Sequence, residues 1–506
     1  MNQIILTIAL PLLAAFLLPV IGRVFEPLAR TLGPLVLLYC IWIVLQVWSE
    51  SGGQAHALAI GGFLPPMGIT FYIDRLSLLF TLLVSLMALL LWPWQRAADS
   101  RECALTLLLA AAASGLALSG DLFNIYVFYE LVSVASFGLV AVNRSGAAFI
   151  ATLRYLIISG FGTVLALTGI ALIYSLTGTL NLAQLSQLAP DVLAGPMGLT
   201  AFLLMLLGFG VKGELFPVNT WVPEVYATAP RRISALLAGL VSKLSLLIIL
   251  RLLVLLYQQE QALQLLLVLG LLGVVSGELA AWRARDMNRM LAYSSIGQLG
   301  AMFIAFSIPG PAGVLAGLAL ALHHLLVKPA LFLLAAGWPG ALQRLQGMAR
   351  NGRLAAALFV LLALSLIGIP PLPGFWAKML LVMGLAGQDS AGHLLALGVV
   401  LGAAVIEASY LFRVVTRLYD KQSATGNGRP YVLDLGTAAL LTAVLLSAVP
   451  FIAPLGGWLS TTAIQAADRK GYIQAVFPGT APYARAAPLT SGRRLASLPP
   501  LQEQTP

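Results

Sequence analysis

Lysines and glutamates inside apolar segments are the residues whose types and spacing could do chemistry in this chain. The stretch Leu207 to Pro230, LGFGVKGELFPVNTWVPEVYATAP, places Lys212 and Glu214 in a hydrophobic run that Gly213, Pro217 and Pro223 then interrupt. A charge at bilayer depth costs roughly 3 kcal/mol or more, so an ionisable side chain there points by default to an ion pathway. Interrupted helices belong to the same pattern, because irregular backbone is tolerated at that depth only where protein buries it or a wet cavity meets it. Low dielectric loosens the proton of an ammonium and tightens that of a carboxylic acid, and a nearby opposite charge reverses both effects. A lysine whose carboxylate partner can move or be neutralised is therefore a proton switch in principle.

With loop charges set aside, the ionisable residues within apolar segments are Glu130, Lys212, Glu214, Lys243, Arg251, Glu278, Lys328, Lys378 and Glu407, with His323 and His324. Lys243 sits about ten residues into its segment, about 15 Å deep at 1.5 Å per residue. Snorkelling to the interface is a poor escape there, whereas it remains open to Arg251 and Glu407. Glu130 is the expected partner of Lys212. His324 and Lys328 are spaced i, i+4 and share a helix face. With His323 and the kink expected at Pro329, they form a candidate relay between two halves of the chain. A histidine that simply hydrogen-bonds a neighbouring helix is the other reading of His323.

Glu214, two positions from Lys212, would not face it on a regular helix, but at a break the two can meet. Static ion pairs that fix helix packing are the competing account of all these charges. A metal site is not expected: adjacent histidines point in different directions, and no Cys or carboxylate lies near them in sequence. No phosphate loop, Ser/His/Asp arrangement or dinucleotide fingerprint stands out, so neither covalent chemistry nor a cofactor is expected.

The elements that must hold these residues are membrane helices. The 506 residues are 59% hydrophobic and 9% charged, against roughly a quarter charged in a soluble domain. The expected fold is an all-α membrane protein of about 14 transmembrane helices. Candidate helices are 3–22, 32–49, 72–94, 104–119, 121–142, 150–175, 197–226 with its break, 233–256, 262–282, 287–307, 312–336, 354–385 with a second break, 393–419 and 434–458. Met1 to Gly22 has no basic residue ahead of its apolar run and reads as a first span, not a signal peptide. Ser51 to Thr70 and Thr177 to Pro196 read as external loops.

The second interrupted segment, Leu354 to Leu385, is broken at Pro370, Pro371, Pro373 and Gly374 and followed by Lys378. It comes five spans after the first, which predicts two structural repeats with the pathway between them, and an odd offset fits inversion. The expected organisation is N-terminal helices in 1–103, a first half-channel repeat in 104–256, a second in 262–420, a last helix in 434–458, and a flexible extramembrane tail in 465–506.

The net charge of +10 is explained by topology rather than by a nucleic-acid partner. Arg23 and Arg30, Arg96 and Arg101, Arg144 and Arg154, Arg231 and Arg232, Arg283, Arg285 and Arg289, Arg344, Arg350 and Arg353, and Arg413, Arg417, Lys421 and Arg429 fall in alternate loops. The positive-inside rule makes those loops cytoplasmic and puts the N-terminus outside. The tail then lies outside with Arg469, Lys470, Arg485, Arg493 and Arg494, against the rule, although charges so late in a chain need not control topology. Cys40 and Cys103 exclude a disulfide framework or an iron–sulfur site in this chain.

Six ordered stretches, GDLFNIYVFYEL (120–131), GFGVKGELFPVNTWVPEVYATAP (208–230), SALLAGLVSKLSLLIILR (234–251), DMNRMLAYSSIGQLG (286–300), LHHLLVKPALFL (322–333) and IPPLPGFWAKMLL (369–381), resemble one family. It is that of the antiporter-like subunits shared by Mrp-type multisubunit Na+/H+ antiporters, respiratory complex I and membrane-bound hydrogenases. The HHLLVK and FYEL forms look most like the Mrp D subunit. The resemblance implies fourteen helices with two inverted five-helix repeats and two discontinuous helices, in a bacterial inner membrane.

It also implies roles: Glu130 and Lys212 as the pair of the first half-channel, Lys243 as the connecting lysine, His324 and Lys328 as the central relay, and Lys378 as the terminal lysine. Glu214, His323 and Glu407 are candidate modulators. The chain departs from the family pattern at Glu214, usually apolar or small, at Pro329 directly after the relay lysine, at Tyr226 where many members have His, and at Asn288 where Lys is common. The implied partners are other membrane subunits, the lipid bilayer, protons and, as a candidate counter-ion, sodium. The chain itself is expected to translocate ions rather than act as an enzyme, with any redox chemistry on partner subunits. The alternatives are a pumping subunit of a complex-I-like dehydrogenase or energy-converting hydrogenase, and a scaffold with structural ion pairs.

Overall fold

Without water, a membrane-embedded backbone must pair its own N–H and C=O groups, which long apolar runs achieve as helices. The computed structural model describes residues 1–94, 99–338, 340–421 and 430–478. Arg96, Arg429 and the tail from residue 479 onward lie outside the described residues. The helices are α1 Leu6–Val24, α2 Glu26–Ser51, α3 Arg75–Leu90, α4 Ser100–Leu118, α5 Leu122–Val140, α6 Gly146–Thr177, α7 Leu182–Val192, α8 Pro196–Gly210, α9 Val222–Thr228, α10 Arg231–Leu236 and α11 Ser242–Leu255. They continue with α12 Glu260–Arg283, α13 Met287–Ser307, α14 Gly310–Ala335, α15 Arg353–Ile367, α16 Pro373–Ala386, α17 Ala391–Leu418, α18 Val432–Ser447, α19 Ile452–Ala467 and α20 Arg469–Val476. Among the described residues, ten helices are long and apolar enough to cross a membrane, and the bent pair α18 and α19 counts as an eleventh span if taken together. The chain is a multi-pass membrane protein.

The structure departs from the sequence reading at four places. Within Ser51 to Thr70 a strand forms, β1 His56–Ala59, antiparallel to β2 Thr70–Ile73. The span expected from residue 72 therefore starts at Arg75, behind a capping box in which Asp74 Oδ1 accepts from Ser77 N and Ser77 Oγ accepts from Asp74 N, both at 2.8 Å. The loop Thr177 to Pro196 contains α7, begun by Asn181, whose side chain accepts from Ala183 N and Gln184 N. The helix expected at 434–458 is not continuous: α18 and α19 meet at 91°, with Pro450, which lacks a donor, in the turn.

The tail expected from Gln465 onward also starts later than that. α19 runs through Ala467, and α20, capped by Asp468, packs on α7 and β1. Tyr472 and Val476, one helical turn apart, are both buried, and Tyr472 meets the Tyr72 ring at 3.8 Å between centroids. Arg469 Nε donates to Ser186 Oγ at 2.9 Å. A short i, i+4 apolar stripe in a polar sequence is enough to dock this segment.

The centre of the bundle is α14, which packs against α10, α11, α13, α15, α16, α18 and α19. Beside it, between α10 and α11, Leu237–Val241 winds a π turn. Pro329, inside α14, faces that turn. A Cβ on Gly239 would stand 2.4 Å from Pro329 Cγ, so glycine is what allows the two irregular segments to touch. The outer helix α6 turns Phe149, Ile150, Leu153, Ile157 and Phe161 outward, as a face meeting lipid or another subunit must.

Candidate functional site

The first break follows α8. Gly208, Phe209 and Val211 there need partners for carbonyls that a continuous helix would satisfy. Tyr129 OH donates to Gly208 O at 3.0 Å and Phe209 O at 3.2 Å, Trp221 Nε1 donates to Val211 O at 3.0 Å, and Asn219 Nδ2 donates to Glu214 O at 3.2 Å. Lys212 emerges at this point. Its Nζ lies 3.6 Å from the centroid of the Tyr129 ring, a cation–π contact, and donates to Ser159 Oγ at 3.3 Å.

The expected contact between Lys212 and Glu130 is not made. Glu130 Oε1 instead accepts from Thr163 Oγ1 at 2.7 Å, and its charge acts on Lys212 without touching it. The reason is local: Tyr129, the residue before Glu130, occupies the face of α5 that meets the break.

Glu214 also differs from expectation. It takes a left-handed backbone, φ +57°, which costs a non-glycine residue roughly 1–3 kcal/mol. That conformation gives Glu214 different partners from Lys212. Its Oε1 accepts from Tyr226 OH at 2.7 Å and Ser295 Oγ at 3.3 Å, in the field of Lys243 and Lys328.

At the centre, Lys243 Nζ donates to Ala238 O at 2.6 Å, a carbonyl in the π turn, and to Ser242 Oγ at 3.0 Å. It also lies 2.5 Å from His324 Nδ1. His324 Nε2 is 3.4 Å from Ser295 Oγ, so the serine stands between the histidine and Glu214. Lys328, on the same helix as His324, donates to Ser294 Oγ at 2.7 Å and Leu291 O at 3.2 Å. Lys212, Lys243 and Lys328 are 1%, 0% and 0% exposed, which rules out snorkelling. His323 Nε2 meets Ser365 Oγ at 2.9 Å, the bond to a neighbouring helix weighed for it from sequence.

The second break lies between α15 and α16. Lys378 Nζ donates to Ile367 O at 3.2 Å, at the end of α15, and pairs with Glu407 Oε2 at 2.5 Å. A cation beside exposed carbonyls at a helix C-terminus is favourably placed. Glu407 is 1% exposed and takes Gln298 Nε2 on its other oxygen at 2.7 Å, so snorkelling is not its role. Glu278 lies nearby, its Oε2 accepting from Tyr410 OH at 3.0 Å. A cavity of about 20 Å³, lined by Glu278, Gln298, Lys378 and Glu407, has room for about one water.

Arg251, the other snorkelling candidate, is buried and paired: its Nη2 donates to both oxygens of Asp74 at 2.7 Å, with the Tyr72 and Tyr472 rings beside it. A further buried pair joins Arg232 Nε to Asp434 Oδ1 at 2.6 Å. Sequence reasoning missed the hydroxyls and amides that carry these contacts: Ser159, Thr163, Ser294, Ser295, Gln298, Ser365 and Tyr410. The adjacent serines of AYSSIGQLG in an otherwise apolar helix were the available signal. Among the described residues, no cluster of His, Cys, Asp or Glu could hold a metal ion.

Two broken helices, one with the buried Lys212 and one with the half-buried Lys378, flank a central Lys–His contact, and sequence comparison attaches a family to that arrangement. The family described as "NADH:quinone oxidoreductase/Mrp antiporter, TM" matches residues 119–405. The chain belongs to this family. It is 32% identical to the N subunit of the NADH-quinone oxidoreductase of Desulforudis audaxviator, over 82% of this chain and 86% of that protein. It is 31% identical to the D subunit of the Na(+)/H(+) antiporter of Bacillus subtilis, over 76% of this chain and 80% of that protein. A chain from the structure of membrane-bound sulfane sulfur reductase, an archaeal respiratory membrane complex, superposes with a TM-score of 0.87 at 29% identity, covering 94% of this chain and all of that one. The family match spans both breaks and Lys212, Lys243, Lys328 and Lys378.

Proposed function

We propose that this chain is a proton-translocating membrane subunit of a multisubunit complex, moving protons along Glu130, Lys212, Lys243, His324, Lys328 and Lys378, with Glu214, His323 and Glu407 adjusting the route. One observation carries this reading against a scaffold held by static ion pairs. Three fully buried lysines are held by neutral groups: Lys212 by Ser159 and a tyrosine ring, Lys243 by Ala238 O, Ser242 and His324, Lys328 by Ser294 and Leu291 O. Among the described residues, the ion pairs inside the bundle are others, Arg232–Asp434, Arg251–Asp74 and Lys378–Glu407. A buried ammonium without a contacting carboxylate is poor cement and a serviceable proton donor.

The same reading takes the chain as fourteen spans, adding α3 and the two broken spans to the eleven, with inverted repeats in 104–256 and 262–420, a bacterial inner-membrane location and the N-terminus outside. The likeness of the two breaks, each with a lysine beside a half-helix end, supports the repeats.

Two driving forces are in view. Exchange for sodium follows from the likeness to the Na(+)/H(+) antiporter chain, and redox drive by partner subunits follows from the likeness to the quinone oxidoreductase and sulfane sulfur reductase chains. The intact complex, reconstituted in liposomes with an internal pH dye, separates them. A pH change on a sodium pulse supports antiport, one on adding an electron donor supports redox drive, and none under either contradicts translocation.

A further inference from the structure

We propose that Glu214 carries the transported proton between the Lys243–His324 pair and the Lys212 end of the bundle, taking it through the hydroxyl of Ser295. The inference rests on the proton-translocating reading and adds to it a residue and a step.

The contacts run in order from donor to acceptor. The Lys243 ammonium donates to His324 Nδ1 at 2.5 Å, which leaves the ring hydrogen on Nε2. That nitrogen faces Ser295 Oγ at 3.4 Å, and the serine hydroxyl faces Glu214 Oε1 at 3.3 Å. The last two contacts are long, and catalytic hydrogen bonds often tighten only during turnover. Three transfers then move one proton. An N–H bond of Lys243 breaks as one forms at His324 Nδ1. The Nε2 hydrogen passes to Ser295 Oγ, and the serine's own hydrogen passes to Glu214 Oε1. The products are a neutral amine and a neutral carboxylic acid. Serine is unchanged, and the histidine has exchanged tautomers.

A second observation lies on the far side of the carboxyl. Glu214 Oε2 is buried and makes no hydrogen bond among the described residues, and Ser245 Oγ is in the same state. Ser245 Cβ is 3.1 Å from where a Cβ on Gly213 would stand, next in the chain to Lys212, which rests on the Tyr129 ring. Buried polar atoms are rarely left unpartnered, and ordered water satisfies them where polar groups converge. The two atoms mark the onward path from Glu214 to Lys212. Tyr226 OH, 2.7 Å from Oε1, fixes the carboxyl's orientation, and the left-handed backbone at Glu214 turns the side chain towards Ser295.

A carboxylate that merely props the break is the alternative, and glutamine separates the two. Glu214→Gln keeps the shape and can still accept from Tyr226 and Ser295, but it cannot carry a proton. The test uses membrane vesicles bearing the complete complex, with assembly counted by co-purified subunits and proton flux read by a pH dye after a sodium pulse and after an electron donor. Glu214→Gln and Ser295→Ala are expected to lower flux per assembled complex by about tenfold or more. Infrared difference spectra during turnover are expected to lose a carboxylic C=O band in Glu214→Gln.

Wild-type flux in Glu214→Gln, with flux lost in Lys212→Ala, overturns this inference and leaves the parent reading standing. Wild-type flux in both variants overturns the parent reading as well. If Glu214→Gln does not assemble, Ser295→Ala decides: lost flux supports the step and wild-type flux overturns it.

Discussion

The Nζ of Lys243 stands 2.5 Å from Nδ1 of His324, joining residues 81 positions apart in sequence on two buried helices. Two positive charges at that distance would repel by about 7 kcal/mol at an effective dielectric of 20, so the pair holds at most one charge between them, and a proton placed on it is shared by two nitrogens. His324→Ala is expected to reduce proton flux per assembled complex by about tenfold or more, measured in vesicles with assembly checked by co-purification. Wild-type flux would exclude the pair from the route.

Lys378 and Glu407 form the ion pair of the second break. Glu407 is buried and Lys378 half-buried; removing one partner of a fully buried pair costs about 3–5 kcal/mol, so a smaller loss is expected here, whereas replacing both with apolar groups is often neutral. Lys378→Met and Glu407→Leu are each expected to lower the unfolding temperature of the purified complex. The double variant should recover most of that loss without recovering flux. A double variant less stable than either single one would contradict this account.

Gly374 sits where α16 crosses α15. A Cβ there would come within 1.8 Å of Ser365 O and 2.8 Å of His323 Nε2. Gly374→Ala is expected to separate the half-helices, break the His323–Ser365 contact and lower both flux and thermal stability. Unfolding at the wild-type temperature would show that the break can absorb a methyl group.

Arg251 and Asp74 are assigned to structure rather than transport. The pair ties α11 to the cap of α3 and lies beside Tyr472 of α20. Arg251→Met is expected to cost stability on the order of 3–5 kcal/mol while flux per assembled complex stays near wild type. A flux loss in fully assembled complex would move Arg251 into the pathway.

Much of this was legible in the sequence, and the missed parts share a physical cause. Interrupted apolar runs marked both breaks, because Pro and Gly disrupt the helix pattern in a way that any reading by periodicity detects. Buried lysines and histidines were equally visible, since few charges occur in such segments. Partner choice was not visible. Whether Lys212 touches Glu130 or rests on Tyr129, and whether Glu214 serves Lys212 or the Lys243–His324 pair, depends on helix rotation and on one left-handed residue, neither of which leaves a periodic trace. The snorkelling left open for Arg251 and Glu407 fails for a related reason: their partners Asp74 and Lys378 lie 177 and 29 residues away. The docked α20 was overlooked because its apolar stripe is only two residues long.

Lys212→Ala tests the central claim most directly, through proton flux per assembled complex in vesicles bearing the whole assembly. The account predicts a complex that assembles normally and has lost proton translocation. A complex that assembles poorly, yet moves protons at the wild-type rate per copy, would show that the buried lysine holds the bundle together and does not carry the proton.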